Sequence, residues 1–208
     1  MEHVRCGNLA LSRALTVEGG TLVALAAGRA EDALAAAERG LAEAAPGLTP
    51  ARFNAIVARC QALLALGRPV EAHGGLVAVW GTLERRHYLR VAVTRIELRA
   101  LRGRAAAGAG ALADADRHAR LLTREPGLWA QALGAFVAAA VARRAGRPEA
   151  GRLTLAAVAR LDAAGLGLFA AAARVAAGLP EPLAGPDAGR INPELARAAW
   201  GFDPERPC

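Results

Sequence analysis

The polar residues that sit closest together in this chain are Asp114, Asp116 and His118, inside the segment Leu112–Leu122. Asp114 and His118 are four residues apart, so on a helix they share a face. An aspartate beside an imidazole is the pairing that orients a general base. Asp116 points to a different side of the same helix. No nucleophile or second acid lies nearby in the sequence, so a solvated helix face explains the cluster with fewer assumptions. The run Arg85-Arg86-His87-Tyr88-Leu89-Arg90 invites another chemistry, phosphate binding by the arginines with a base stacked on Tyr88. A helix junction whose arginines neutralise the preceding C-terminus accounts for it more simply. His3, His73, His87 and His118 share no metal-ligand spacing. Cys6, Cys60 and Cys208 are odd in number and far apart, which fits reduced structural thiols rather than a disulfide framework or zinc site. Trp80, Trp129 and Trp200 are widely separated, and each reads as a packing anchor. The expectation is a chain with no catalytic residues, no metal and no cofactor.

What must position these residues is helical. Of 208 residues, 54% are apolar, aromatics make up 4%, and alanine and leucine dominate the rest. Such side chains lose little rotamer freedom in a helix. Small alanines let helices approach closely but give each one little area to bury, so stability must come from many stacked neighbours. The net charge of +7 and pI near 11.0 raise nucleic acid as a partner. All 26 basic residues are arginine, however, scattered among Asp and Glu, a pattern that looks like the codon bias of a GC-rich genome. Glu2, Arg5, Asn8 and Arg13 interrupt every apolar stretch near the N-terminus, unlike a signal peptide. The longest apolar run elsewhere, Leu133 to Ala142, falls short of the ~18 residues a membrane span requires. A cytoplasmic location is expected.

A short phrase recurs along the chain: Ala27-Gly28-Arg29-Ala30-Glu31-Asp32-Ala33, Leu66-Gly67-Arg68-Pro69-Val70-Glu71-Ala72, and Ala145-Gly146-Arg147-Pro148-Glu149-Ala150. A weaker copy stands at Arg102-Gly103-Arg104-Ala105, so the glycines are spaced by 39, 36 and 43 residues. In each phrase a helical stretch runs into a glycine able to take the left-handed conformation that closes a helix. Pro69 and Pro148 then suit the first turn of a following helix, and the acids that come next favour its dipole. The phrase is the tight turn of a helical hairpin. Helices are predicted over 50–66 (Thr49 as N-cap, Pro50 first), 86–102 (Leu89, Val93, Ile96 and Ala100 on one stripe), 127–145 (apolar nearly all round and the most buried), 148–164 and 166–177. Residues 105–111, with two glycines among alanines, make a poor helix interior. Gly19-Gly20 and Gly74-Gly75 are further weak points, either close helix crossings or flexible positions. No segment alternates as a strand would.

The Gly-Arg-Pro-Val-Glu-Ala turn, with Ala72 five residues after Gly67 and Ala33 five after Gly28, resembles the tetratricopeptide repeat. In that family a small residue at this offset lies where two helices cross. The repeat here exceeds the usual 34 residues, and the aromatic signature positions are mostly alanine or leucine. In the fourth copy Gly151 takes the offset. The last fifty residues hold Gly165-Leu166-Gly167-Leu168-Phe169-Ala170-Ala171-Ala172-Ala173-Arg174, Gly189-Arg190-Ile191-Asn192-Pro193-Glu194-Leu195-Ala196-Arg197 and Gly201-Phe202. They resemble the extreme C-terminus of large bacterial serine/threonine protein kinases of the myxobacterial type, which carry an ATPase module and a TPR-like tail. That resemblance implies the regulatory, partner-sensing end of a signalling protein. The chain has no G-x-x-x-x-G-K-[ST] loop, no Gly-rich kinase loop, no His-Arg-Asp segment and no Asp-Phe-Gly, so neither activity transfers to any residue here.

The expected fold is therefore all-α: a TPR-like α-solenoid of about four helical hairpins over residues 1–178, a Pro/Gly-rich linker at 179–190, and a C-terminal capping helix and tail at 191–208. Asn192-Pro193-Glu194 reads as the cap, first position and first-turn acid of that last helix, which would run to about Trp200 and cover the open end of the array. The expected function is non-catalytic binding of a protein or peptide segment in a groove lined by the first helix of each pair. Asn54, Arg59, Arg95 and Arg99 are candidate groove residues. The competing reading, an arginine-rich helical nucleic-acid binder, needs the arginines on one face and predicts steep salt dependence.

Overall fold

The computed structural model describes residues 20–21, 23–179 and 193–202. The N-terminal stretch read for a signal sequence, Cys6, Cys208, Asn192 and the linker from 180 onward lie outside the described residues. Within them the chain is all-α, with no strand. A helical segment at 23–26 turns at Gly28 into α1 (Ala30–Glu43). There follow α2 (Pro50–Ala65), α3 (Pro69–Arg85), a 3-10 turn (Tyr88–Arg90), α4 (Ala92–Gly108) and α5 (Leu112–Thr123). The order continues with α6 (Leu128–Arg144), α7 (Ala150–Ala163), α8 (Gly167–Ala177) and α9 (Pro193–Trp200). Each helix from α1 to α8 packs against the next, and α4 also lies beside α2 and α6.

Local signals set most boundaries. Thr49 is extended at the start of α2, and its Oγ1 accepts the Arg52 amide at 3.2 Å, with Pro50 in the first helical position. Gly28, Gly67 and Gly146 have φ of +70°, +70° and +61°, as the recurring phrase predicts. The fourth copy differs: Gly103 lies inside α4, and the chain turns at Gly110 instead, with φ +78°. Residues 105–108 are helical and buried. Gly108 among them, like Gly103 and Gly134, sits where a neighbour comes too close for a side chain: a Cβ at Gly108 would stand 2.7 Å from Pro69 Cβ on α3. A Cβ at Gly103 would stand 2.8 Å from Val137 Cγ1 on α6, and one at Gly134 would stand 2.7 Å from Thr123 Oγ1 on α5. By contrast Gly74, inside α3, has open space around it, and Gly75 would meet only the Arg59 guanidinium. The close helix crossings are thus at Gly103, Gly108 and Gly134.

Two other boundaries shift. Helix α4 begins at Ala92 rather than 86, because α3 ends at Arg85 and His87 takes a left-handed conformation (φ +64°). Arg95 secures that turn, donating to the Leu89 carbonyl at 3.1 Å. Pro148 stays in the turn ahead of α7, which starts at Ala150. Helix α9, expected to cover the open end of the array, packs against α2 and α4 as well as α8.

Candidate functional site

Four helices that are not neighbours in sequence, α2, α4, α6 and α8, present one common inner face, and α9 lies across it. The contacts are specific. Arg197 on α9 donates from Nε to the carbonyl of Ala65, the last residue of α2, at 2.8 Å. Arg104 on α4 donates from Nη1 to the Ala198 carbonyl at 2.6 Å, at the C-terminus of α9. Each arginine thereby satisfies a terminal helix carbonyl that has no partner within its own helix. Trp200, fully buried, donates Nε1–H to the Ala172 carbonyl on α8 at 2.9 Å and tilts against Phe136 on α6 with ring centroids 4.5 Å apart. Ala196, Ala198 and Ala199 are buried beneath it.

Helix α9 fills only part of the face. Beside it α2, α4, α6 and α8 enclose a cavity of about 350 Å³, walled by Phe53, Val57, Leu101, Trp129, Leu133 and Phe169. Three polar residues also line it: Gln61, Glu97 and Arg104. Gln61 Oε1 is buried without a hydrogen-bond partner. Arg104 is 7% exposed; its Nε donates to the Ala100 carbonyl at 3.3 Å, and its guanidinium carbon stands 5.1 Å from the Phe169 ring centroid. Burial holds the Arg104 guanidinium down at about 10, so it remains charged at neutral pH. Among the described residues no carboxylate pairs with it. Cys60 lies nearby in α2, and burial pushes its thiol up to about 12, so it stays a protonated, unreactive packing group.

The candidate residues named from sequence fall in several places. Arg95 and Arg99 meet on Glu125, with contacts of 2.7 and 2.6 Å that tie α4 to the turn before α6. Arg59 faces Glu38 on α1 at 3.6 Å and lines a separate cavity of about 220 Å³ between α1, α2 and α3. Asn54 is half-buried on α2 and does not line the larger cavity. The residues sequence reasoning passed over are Gln61, Arg104 and Phe169. Arg104 was hidden inside a supposed turn phrase, and its helical register with Leu98 and Leu101 is the signal that finds it.

The Asp114–His118 pair is not a solvated face. It is packed between α3, α4 and α5. Asp114 accepts from His73 Nε2 at 3.0 Å and from Arg102 Nε and Nη2 at 2.9 and 3.1 Å. Arg102 lies over Trp80 at 4.5 Å, and Trp80 meets the His118 ring edge-on at 5.2 Å. Asp116 alone stays at the surface, paired with Arg120. Burial raises the Asp114 carboxyl, but the hydrogen bonds from His73 and Arg102 outweigh it and leave it below the usual range. His118 is pushed down to about 4 by burial, with Arg102, Arg117 and Arg99 acting in the same direction and Asp114 against it. The folded protein therefore keeps His118 neutral where the unfolded chain, with an ordinary imidazole near 6.5, takes up a proton. Stability rises with pH through the window from 4 to 6.5 and is lost as pH falls through it. In urea titrations at pH 7 and pH 5, the unsubstituted chain is expected to lose more of its midpoint than His118→Gln does. Equal losses would assign the acid sensitivity elsewhere.

The Arg85–Arg90 run sits at the junction that ends α3. Tyr88 stacks on Phe53 at 4.8 Å and donates its hydroxyl to the Leu48 carbonyl at 3.5 Å, so its ring already has a partner in the fold. No helix among the described residues is long and apolar enough to cross a membrane. Among the same residues no group of His, Cys, Asp and Glu is placed to hold a metal ion. No protein-family model, curated protein or solved structure matches the chain.

Proposed function

We propose that this chain is a non-catalytic, TPR-like helical-repeat scaffold that binds protein segments through the inner face of α2, α4, α6 and α8. The observation that carries this reading is α9 itself. An amphipathic helix with a tryptophan anchor lies on that face, and arginines from both sides satisfy terminal carbonyls across the contact. A surface that holds one such helix has the shape and the donors for helix-in-groove recognition. The glycine turns at Gly28, Gly67, Gly110 and Gly146 support four hairpins in series, with α8 and α9 following. The resemblance of the last fifty residues extends the proposal to the regulatory end of a bacterial, cytoplasmic kinase–ATPase signalling system. The nucleic-acid reading is weaker, because Arg95 and Arg99 are bound to Glu125 and Arg102 to Asp114 instead of forming a free basic face.

The test uses the chain's own helix in trans. A labelled peptide of residues 191–202 is titrated by fluorescence anisotropy against the full chain carrying Trp200→Ala, with circular dichroism to verify that the fold persists. Micromolar binding is expected, abolished when the peptide also lacks its tryptophan. Affinity capture from nuclease-treated lysate then compares the Trp200→Ala chain with the unsubstituted one. A protein retained by the opened face and displaced by the peptide supports the scaffold. Failure of the peptide to bind a folded Trp200→Ala chain, or capture of nucleic acid alone with release by salt, overturns it.

A further inference from the structure

We propose that the cavity beside α9 is a binding site for a small monocarboxylate with an apolar body, its carboxylate on Arg104 and its chain against Phe53, Leu101, Leu133 and Phe169. The inference stands on a chamber and its polar groups, independently of whether the inner face binds a partner helix. The chamber of about 350 Å³ is within the range of small-molecule sites and roughly twice the ~150 Å³ apolar cavity that admits benzene. Its walls come from four helices and are mostly aromatic and aliphatic, so the apolar body of a ligand would be covered on several sides while the chamber stays open to solvent at its mouth.

The polar groups define the ligand's head. A guanidinium taken out of water without a carboxylate partner is costly, and Arg104 is 7% exposed with no acid paired to it among the described residues. Nε and Nη1 are committed to carbonyls of Ala100 and Ala198, whereas Nη2 makes no hydrogen bond among the described residues. That nitrogen is a donor available to an incoming carboxylate, in a medium where a charge-assisted bond is strong. Gln61, from α2, borders the same chamber with an amide oxygen that has no partner. A half-turn of the amide exchanges that oxygen for its NH2 donor, which a carboxylate can accept. The ligand's charge is limited by the lining, in which Arg104 is the one cationic side chain among the described residues. A second carboxylate on the ligand would find no cation there, so a monocarboxylate fits better than a dicarboxylate of the same length.

Octanoate, octanol and suberate separate these ideas, since they share a chain length and differ in charge at the two ends. Isothermal titration of the full chain is expected to give octanoate a Kd at least tenfold below that of either other compound. Arg104→Met is expected to remove the preference, but it also frees the α9 carbonyls and endangers the fold. Two milder variants keep the test sharp. Gln61→Leu is expected to weaken octanoate at least fivefold and leave octanol unchanged, while Val57→Trp, which fills the chamber, is expected to abolish binding of both. Equal affinities for octanoate and octanol, octanoate binding that survives Val57→Trp, or no binding at millimolar octanoate would each overturn the proposal.

Discussion

Replacing Trp200 with alanine is expected to destabilise the protein by about 3–5 kcal/mol, the range for truncating a large buried aromatic side chain. The indole is fully buried, and its loss would empty the space between Phe136 on α6 and the backbone of α8. It would also remove the donor to the Ala172 carbonyl and the ring beneath the Arg143 guanidinium, 5.7 Å away. Among the described residues of this eight-residue helix the other buried side chains are alanines, so Trp200 is the largest apolar anchor described there, beside the hydrogen bonds from Arg197 and Arg104. Urea denaturation followed by circular dichroism measures the loss, as a lower midpoint at an unchanged slope if only packing is lost. Trp200→Phe keeps most of the buried ring and removes the N–H donor, so a smaller loss of about 1 kcal/mol is expected. A Trp200→Ala chain as stable as the original would mean that α9 is not anchored on the inner face.

The helical class and most turns were legible because their causes are local. A glycine with positive φ, a threonine cap and a proline in the first turn act over four or five residues, so Gly28, Thr49-Pro50, Gly67-Pro69 and Gly146 can be read directly from the chain. Gly103 was misread for the same reason in reverse. Its flanking residues imitate the turn phrase, while its conformation is set by Val137 on another helix. The start of α4 likewise depends on Arg95 reaching back to a carbonyl six residues earlier, which hydrophobic spacing does not encode. Long-range relations were the least legible. The contact between Arg197 and Ala65 joins residues 132 apart, and the one between Arg104 and Ala198 joins residues 94 apart. Alanine-rich helices carry too few distinctive side chains to announce which faces will meet. The Asp114–His118 pair was visible as a spacing, but its burial depends on His73, Trp80 and Arg102, which arrive from two other helices.

The second large effect is expected at Gly108, where the ordinary rule for helix interiors reverses. Near the end of α4, alanine would normally gain about 1 kcal/mol over glycine through helix propensity. Here a Cβ would intrude on the carbonyl oxygen of Gly201 and stand 2.7 Å from Pro69 Cβ. The obstacle is backbone, and Gly201 has little freedom to retreat. Its φ is +82°, and a Cβ on that residue would in turn strike the carbonyl of Arg104. Gly108→Ala is therefore expected to push the end of α9 away from α4 and destabilise the fold by about 2–3 kcal/mol, the upper part of the range for overpacking. That displacement would also lengthen the bond from Arg104 to Ala198. Combining Gly108→Ala with Trp200→Ala tests whether both act through the same helix. If α9 is released as a unit, the two losses are less than additive, because a helix already displaced by one substitution has less left to lose to the other. Fully additive losses would show instead that Trp200 stays in its site while only the chain at Gly201 moves. The alanine substitution at Gly108 would then be a local defect, and α9 would be part of the permanent core.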